Sequence, residues 1–271
     1  MLDNQQPIVG QLRIGALLEE YQVFPLQTYR PLMDDLTKNL YDPQHRMVYE
    51  LTKKSTDVQQ LAKDLLRVYE GMGDSVTWIK SLIDIEVASL TSDDVNILFR
   101  GNSFFTRVID NFLKSTGRDF LEEAIQPILQ RLCQQYRQTV ELDTSRLSTN
   151  TTELTLADCT EIFKDAQDVW TGIQTAESKC PIELRQVFDH LQTAIIKKFD
   201  LHNGKLSRQY QIAQYTCVSG FIFLRWICPA IISPKQFGLV QSKRRIGFFF
   251  MERLSFSPVF FLSIQINLRQ K

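Results

Sequence analysis

Apolar residues recur at three- and four-residue spacing along most of this chain. Between residues 57 and 70, Val58, Leu61, Ala62, Leu65, Leu66 and Tyr69 form a single stripe, the pattern of an amphipathic helix with one buried face, and Gly71 is expected to end it. Upstream, the 29–40 segment predicts a helix that opens with Pro31 in its first turn, where a missing N–H is harmless. Ser75 to Val87 places Val76, Ile79, Leu82 and Ile83 on one side. The next stripe is Phe105, Val108, Ile109, Phe112 and Leu113, closed by Gly117. From Asp119 to Tyr136 the buried set would be Leu121, Ala124, Ile125, Ile128, Leu129 and Leu132, and Pro127 either kinks that helix or marks its true start. Residues 138–155 are rich in Ser and Thr and lack periodicity, so they read as a surface connection within a domain. Helical spacing returns with Ile162, Phe163, Ala166, Val169, Trp170 and Ile173, and after Cys180-Pro181 with Leu184, Val187, Phe188, Leu191 and Ile195. No strand-like alternation of useful length precedes residue 240, and the expected class is all-α.

The most apolar run, Cys217 to Ile232, holds a single cation, Arg225. A membrane span needs roughly 20 apolar residues, whereas this run is shorter, is interrupted by Pro229 and carries a charge. A helix central to a helical domain fits better. Arg225 lies seven residues after Val218, which puts both on one helical face, so the guanidinium must reach an edge or find partners inside. Its rigid fork of N–H donors suits it to main-chain carbonyls of an adjacent loop. Far upstream, Leu98-Phe99-Arg100-Gly101-Asn102-Ser103 places another arginine between two helical patterns, followed by a glycine and by Asn102 or Ser103 as the helix cap. Most arginines in such a place are merely solvated. The second arginine segment is what sets Arg100 apart.

Composition narrows the functional classes. Lys plus Arg equals Asp plus Glu at 31 each, so no global field draws nucleic acid, and a nucleic-acid role is disfavoured. The five cysteines are scattered without a C-x-x-C pair, which points to reduced thiols and a cytoplasmic setting. The three histidines stand apart from each other and from the cysteines, so a zinc site has no support. No basic segment followed by an apolar run opens the chain, and no secretory leader is expected.

Leu98 to Ser103, together with Phe223-Leu224-Arg225 and Cys228-Pro229-Ala230-Ile231, resembles the signature segments of the catalytic domain of Ras GTPase-activating proteins, the neurofibromin-like RasGAP family. Tyr29-Arg30-Pro31-Leu32, the Pro127-Ile128 helix, Cys180-Pro181 and Ser233-Pro234 with Phe237 extend the resemblance over residues 10–240. It implies a multi-helix fold in which 76–239 form the central catalytic region and 1–75 contribute to an accessory subdomain. It also implies that Arg100 is an arginine finger, inserted in trans beside GTP held by a Ras-family small GTPase, and that Arg225 braces the finger loop. By the same match Gly101 lets the backbone approach the partner and Phe99 anchors the loop, with Asn102, Phe223, Leu224 and Pro229 in support. Phe223 and Leu224 are expected first as core residues, and a capping role is enough to explain Asn102. On this resemblance the chain activates another protein's catalysis and needs no nucleotide, metal or other cofactor of its own, in keeping with the absence of a G-x-x-x-x-G-K-[ST] loop. The alternatives are a non-catalytic Ras-binding scaffold of the same fold or an inactive truncated isoform. The expected location is the cytoplasm, with recruitment to the inner face of the plasma membrane.

After Leu239 the composition shifts. Ser242-Lys243-Arg244-Arg245 precedes Phe248, Phe249, Phe250, Phe256, Phe260 and Phe261, with no helical stripe. The family's further helices are not legible there, so an altered C-terminus, from alternative splicing or a gene-model error, is the leading expectation for 240–271. A basic-aromatic segment at a membrane surface is second, since six cations stand against Glu252 alone. A transmembrane helix is least supported, because Glu252, Arg253 and Pro258 interrupt the stretch. A tail that replaces native helices would leave apolar surface open on the N-terminal helices, and low stability or aggregation is expected.

Overall fold

The computed structural model describes residues 22–42, 44–91, 101–135, 156–199 and 215–240. The 138–155 connection and the segment after Val240 therefore lie outside the described residues, as do Phe99 and Arg100. Every regular element among the described residues is helical: α1 (Leu26–Leu40), α2 (Arg46–Lys54), α3 (Val58–Met72), α4 (Ser75–Ser89), α5 (Phe104–Thr116), α6 (Arg118–Gln135), α7 (Leu156–Thr175), a short 3₁₀ turn (Ala176–Lys179), α8 (Ile182–Lys198) and α9 (Tyr215–Ile232). The all-α class is what the apolar periodicity dictates.

Helix α4 is the hub. Its Trp78, Ile79, Leu82 and Ile83 are fully buried, and it packs against α8 through the face that carries Leu184, Val187, Leu191 and Ile195. On its other sides lie α3 and α5, where Tyr69 stacks on Trp78 with ring centroids 4.3 Å apart. Helices α6 and α7 pair, and α9 lies over α5 and α6. Burial of such aromatic and branched side chains removes about 150–250 Å² of surface per aromatic residue, which makes this cluster the main source of stability.

Three helix boundaries differ from the periodicity. Helix α3 runs past Gly71 to Met72, and Gly73 is the residue that ends it, because at φ 81° it takes the left-handed conformation a helix C-terminus favours. Helix α1 begins at Leu26 behind Pro25, whose φ of −55° and ψ of 145° set the entry, so Pro31 sits inside the helix and cannot donate to the Gln27 carbonyl. Helix α6 runs unbroken through Pro127, which is therefore not its start. Leu121, Ala124 and Ile125 before the proline and Leu129 and Leu132 after it are all buried, and that packing outweighs one lost backbone bond.

Helix α9 is long and apolar enough by composition to cross a membrane, with a mean hydropathy of 1.6 over 18 residues. Its Cys217, Phe221, Phe223, Trp226, Ile227, Ala230 and Ile231 are instead buried within the helical domain. Helix α1 is the opposite case. It buries Leu36, Asn39 and Leu40 and leaves Leu26, Tyr29 and Leu32 exposed, continuous with exposed Val23 and Phe24.

Candidate functional site

The entry to α5 is closed by short-range polar contacts. Ser103 is the N-cap, and its hydroxyl accepts from the Thr106 backbone N–H at 3.2 Å. Asn102 is exposed and does not supply this cap, so its presence is not explained by capping. The Thr106 side chain is buried, and its hydroxyl is shared between the carbonyls of Gly101 (3.1 Å) and Ser103 (2.9 Å). Gly101 itself is exposed, and a Cβ placed there would meet nothing within 4 Å among the described residues.

A second element reaches the same carbonyl. Arg225 on α9 donates from Nη2 to the Gly101 carbonyl at 2.5 Å and from Nη1 to Asp110 Oδ2 on α5 at 3.0 Å. Its guanidinium also lies 5.9 Å from the centroid of the Phe221 ring, which meets Phe105 edge-on. The arginine side chain is 14% exposed and the carboxylate 27%. Burial pushes the Asp110 carboxyl above its usual range, and the Arg225 charge and hydrogen bond pull it back, with Lys114 and Arg107 assisting. Its Oδ1 is buried without a hydrogen-bond partner.

Arg225 is placed by an irregularity. From Gly220 to Ile227, α9 is a π-helix, and the chain returns to α-geometry at Cys228–Ile232 with Pro229 in that first turn. With i→i+5 bonds, seven residues fall short of two turns, so the expectation that Arg225 shares the face of Val218 does not hold. The wider turn carries the guanidinium towards α5 instead. Pro229 is half-buried and lacks the N–H that a regular ladder would use. Phe223 is a core residue as its apolarity suggests, stacked near Trp170 with centroids 6.3 Å apart. Leu224 is not: it is 43% exposed, because Phe223 and Trp226 occupy the buried side and turn it outward beside Arg225.

Gly101, Asn102, Phe223, Leu224, Arg225 and Pro229 thus fall on two elements, and Arg225 joins them. Asp110 was not singled out by sequence reasoning. Its only local signal is a carboxylate beside the stripe Val108, Ile109, Phe112 and Leu113, a placement that ordinary helix flanks share. Among the described residues no group of three or more His, Cys, Asp or Glu could hold a metal ion.

Residues 78–158 and 148–246 match the family model described as GTPase-activator protein for Ras-like GTPase. These stretches contain both Gly101 and Arg225, and the second ends inside the segment that composition sets apart after Leu239. The chain is 32% identical over 240 residues to the probable Ras GTPase-activating-like protein ngap of Dictyostelium discoideum, with 88% of this chain and 25% of that protein covered. Ras GTPase-activating protein 3 of Bos taurus is 30% identical over 235 residues, with 85% and 26% covered. RasGAP-activating-like protein 1 of Mus musculus is 29% identical over 251 residues, with 85% and 30% covered. The chain therefore spans less than a third of the length of these curated relatives.

Proposed function

The chain belongs to the family of GTPase-activator proteins for Ras-like GTPases, and from that premise we propose that it accelerates GTP hydrolysis by a Ras-family GTPase by lending Arg100 to that partner's active site. The observation that carries this reading is the double hold on Gly101, the residue bonded directly to Arg100: its carbonyl accepts from Arg225 and from Thr106. A guanidinium gains most when its anchor is fixed before the partner arrives, because then no ordering cost is charged to the transition state.

The chemistry follows from where charge develops. As the γ-phosphoryl group leaves, negative charge spreads over its oxygens and the bridging oxygen, and a planar cation in a water-poor site stabilises that distribution more than the ground state. Arginine fingers as a class are worth about 10³–10⁵ in kcat. The nucleotide and its metal belong to the partner, so this chain acts as an activator and contributes one group rather than a whole active site. Arg225 is a brace in this scheme, and Asn102 and exposed Leu224 offer a polar and an apolar contact to the partner surface. Gly101, which a Cβ would not crowd against any described residue, leaves room for close approach of the partner. The family resemblance gives Phe99 the part of loop anchor, while buried Phe223 and half-buried Pro229 hold the bracing helix. The proposed location is the cytoplasm, at the inner face of the plasma membrane when the partner is engaged.

Single-turnover GTP hydrolysis by a GTP-loaded Ras-family protein tests the proposal. Addition of this chain should raise the rate, and Arg100→Ala should return it close to the unstimulated value while binding persists. Binding of the GTP-loaded partner with no acceleration by the unaltered chain would select a scaffold role instead.

A further inference from the structure

Arg225 does not hold Gly101 unaided. Its guanidinium is a flat fork, and the Nη1 arm is fixed on Asp110 Oδ2 while the Nη2 arm meets the Gly101 carbonyl. Because both arms share one plane, anchoring one of them sets the direction of the other. Asp110 lies one turn after Thr106 on α5, so the helix that caps and closes onto Gly101 also presents the carboxylate that orients the arginine from α9.

We infer that Asp110 is a positioning residue of the activator site: it orients Arg225, and through Arg225 the carbonyl next to Arg100. This rests on the reading of Arg100 as the group lent to the partner. The surroundings distinguish the contact from an ordinary surface ion pair. Among the described residues the other cations near Asp110 are otherwise engaged, Arg107 giving its Nη1 to Gln59 at 3.0 Å and Lys114 lying over the Phe237 ring at 5.5 Å, and the hydrogen-bonded cation is Arg225. Asp110 is also poorly suited to a purely structural post. Its Oδ1 is buried and unpaired, and a half-satisfied buried carboxylate is weak support for a fold compared with an apolar residue in its place. What the carboxylate supplies is direction.

The consequence is that Asp110 and Arg225 act as one unit. Asp110→Asn keeps the size and exchanges an ion pair for a hydrogen bond from the guanidinium to a neutral amide oxygen. The maximal stimulated rate should fall about tenfold with the half-saturating concentration changed less than about twofold. Asp110→Glu should recover part of the loss. In an Arg225→Ala background, Asp110→Asn should have no further effect on rate. Because removal of the arginine strands a buried charge, the double variant should also melt higher than Arg225→Ala alone. Additive losses in rate, or a loss confined to the half-saturating concentration, would overturn the proposal.

A readout independent of any GTPase separates this inference from the activator reading. Trypsin cuts after arginine, and cleavage of the Arg100–Gly101 bond in the full chain can be followed by the mass of the fragment that begins at Gly101. Asp110→Asn and Arg225→Ala should each speed this cut severalfold relative to cuts after exposed Lys53 and Lys54, and the double variant should be no faster than Arg225→Ala. If the unaltered chain fails to accelerate hydrolysis while this cleavage pattern appears, the activator reading falls and the orienting role of Asp110 stands. If cleavage is indifferent to Asp110→Asn, the orienting role falls whatever the activity.

Discussion

Replacing Arg225 with lysine separates charge from geometry at the centre of the site. In the native chain one side chain reaches Asp110 Oδ2 at 3.0 Å and the Gly101 carbonyl at 2.5 Å from two different nitrogens. A lysine stem ends near where the arginine Nε and Cζ lie, so its single ammonium stops short of both Nη positions. The cation remains attracted to the partly buried carboxylate, and the bond to the Gly101 carbonyl is the one given up. A hydrogen bond from a charged donor contributes about 1.5–3 kcal/mol. The bond is made before the partner arrives, so once it is lost the freed loop relaxes and must be ordered again when Arg100 is seated; that cost, at most the whole amount, lowers the maximal stimulated rate by up to about 10- to 150-fold. Stability should change little, because the ion pair survives, and a loss under about 1 kcal/mol lowers Tm by no more than about 2–4 °C in a domain of this size. The assay is single-turnover hydrolysis by a GTP-loaded Ras-family protein over a range of activator concentrations, with thermal unfolding of the same sample. Full stimulated rate in Arg225→Lys would refute the bracing argument. A rate loss matched by a large fall in Tm would refute it as well, since the site would then be failing through unfolding.

Gly117→Ala should lower Tm by several degrees, measured by thermal unfolding: an added Cβ would sit 2.1 Å from Trp226 Cζ2 and 2.7 Å from the Leu113 carbonyl, and overpacking of this kind costs about 1–3 kcal/mol. His45 is fully buried, with Nδ1 3.0 Å from Asn39 Nδ2 and Nε2 2.8 Å from Ser81 Oγ, which itself donates to the Trp78 carbonyl at 2.7 Å; the ring is therefore neutral, donating from Nε2 and accepting at Nδ1. Burial lowers its pKa below 6.5 against a weaker pull from Asp42, so below pH 6.5 the unfolded chain binds the proton that the folded chain resists. Stability is then complete above pH 6.5 and declines as pH falls through the folded value, a slope that should flatten in His45→Asn when melting is compared at about pH 7.5 and 5.5. Burial pushes the Cys217 thiol up to about 12 and Cys228 up to about 11, so neither should take up iodoacetamide at about pH 8 until the chain is denatured, as peptide mapping would show.

Much of the fold is legible one helix at a time. The stripe Ala62, Leu65, Leu66 and Tyr69 is buried along α3, and Phe105, Val108, Ile109, Phe112 and Leu113 are buried along α5. Helical periodicity is a local code, written at three- and four-residue spacing, so burial of a face can be read without knowing what covers it. Boundaries are less legible. The spacing points to Gly71 as the end of α3, and the backbone conformation places that end at Gly73. Leu224 could be taken for core until the buried positions on either side turn it outward.

The pattern of residues along the chain dictates the all-helical class, the family, and the two segments that carry Gly101 and Arg225. It does so because residue type and short-range spacing suffice for each. The joining of those segments belongs to the packed fold: Arg225 reaches a carbonyl 124 positions away and a carboxylate 115 positions away. Those pairings depend on how α9 crosses α5 and on a widened turn that rotates the arginine off its regular face, with Gly117 letting Trp226 come close. Nothing in local spacing encodes a helix crossing. Asp110 was therefore invisible until α9 was laid against it.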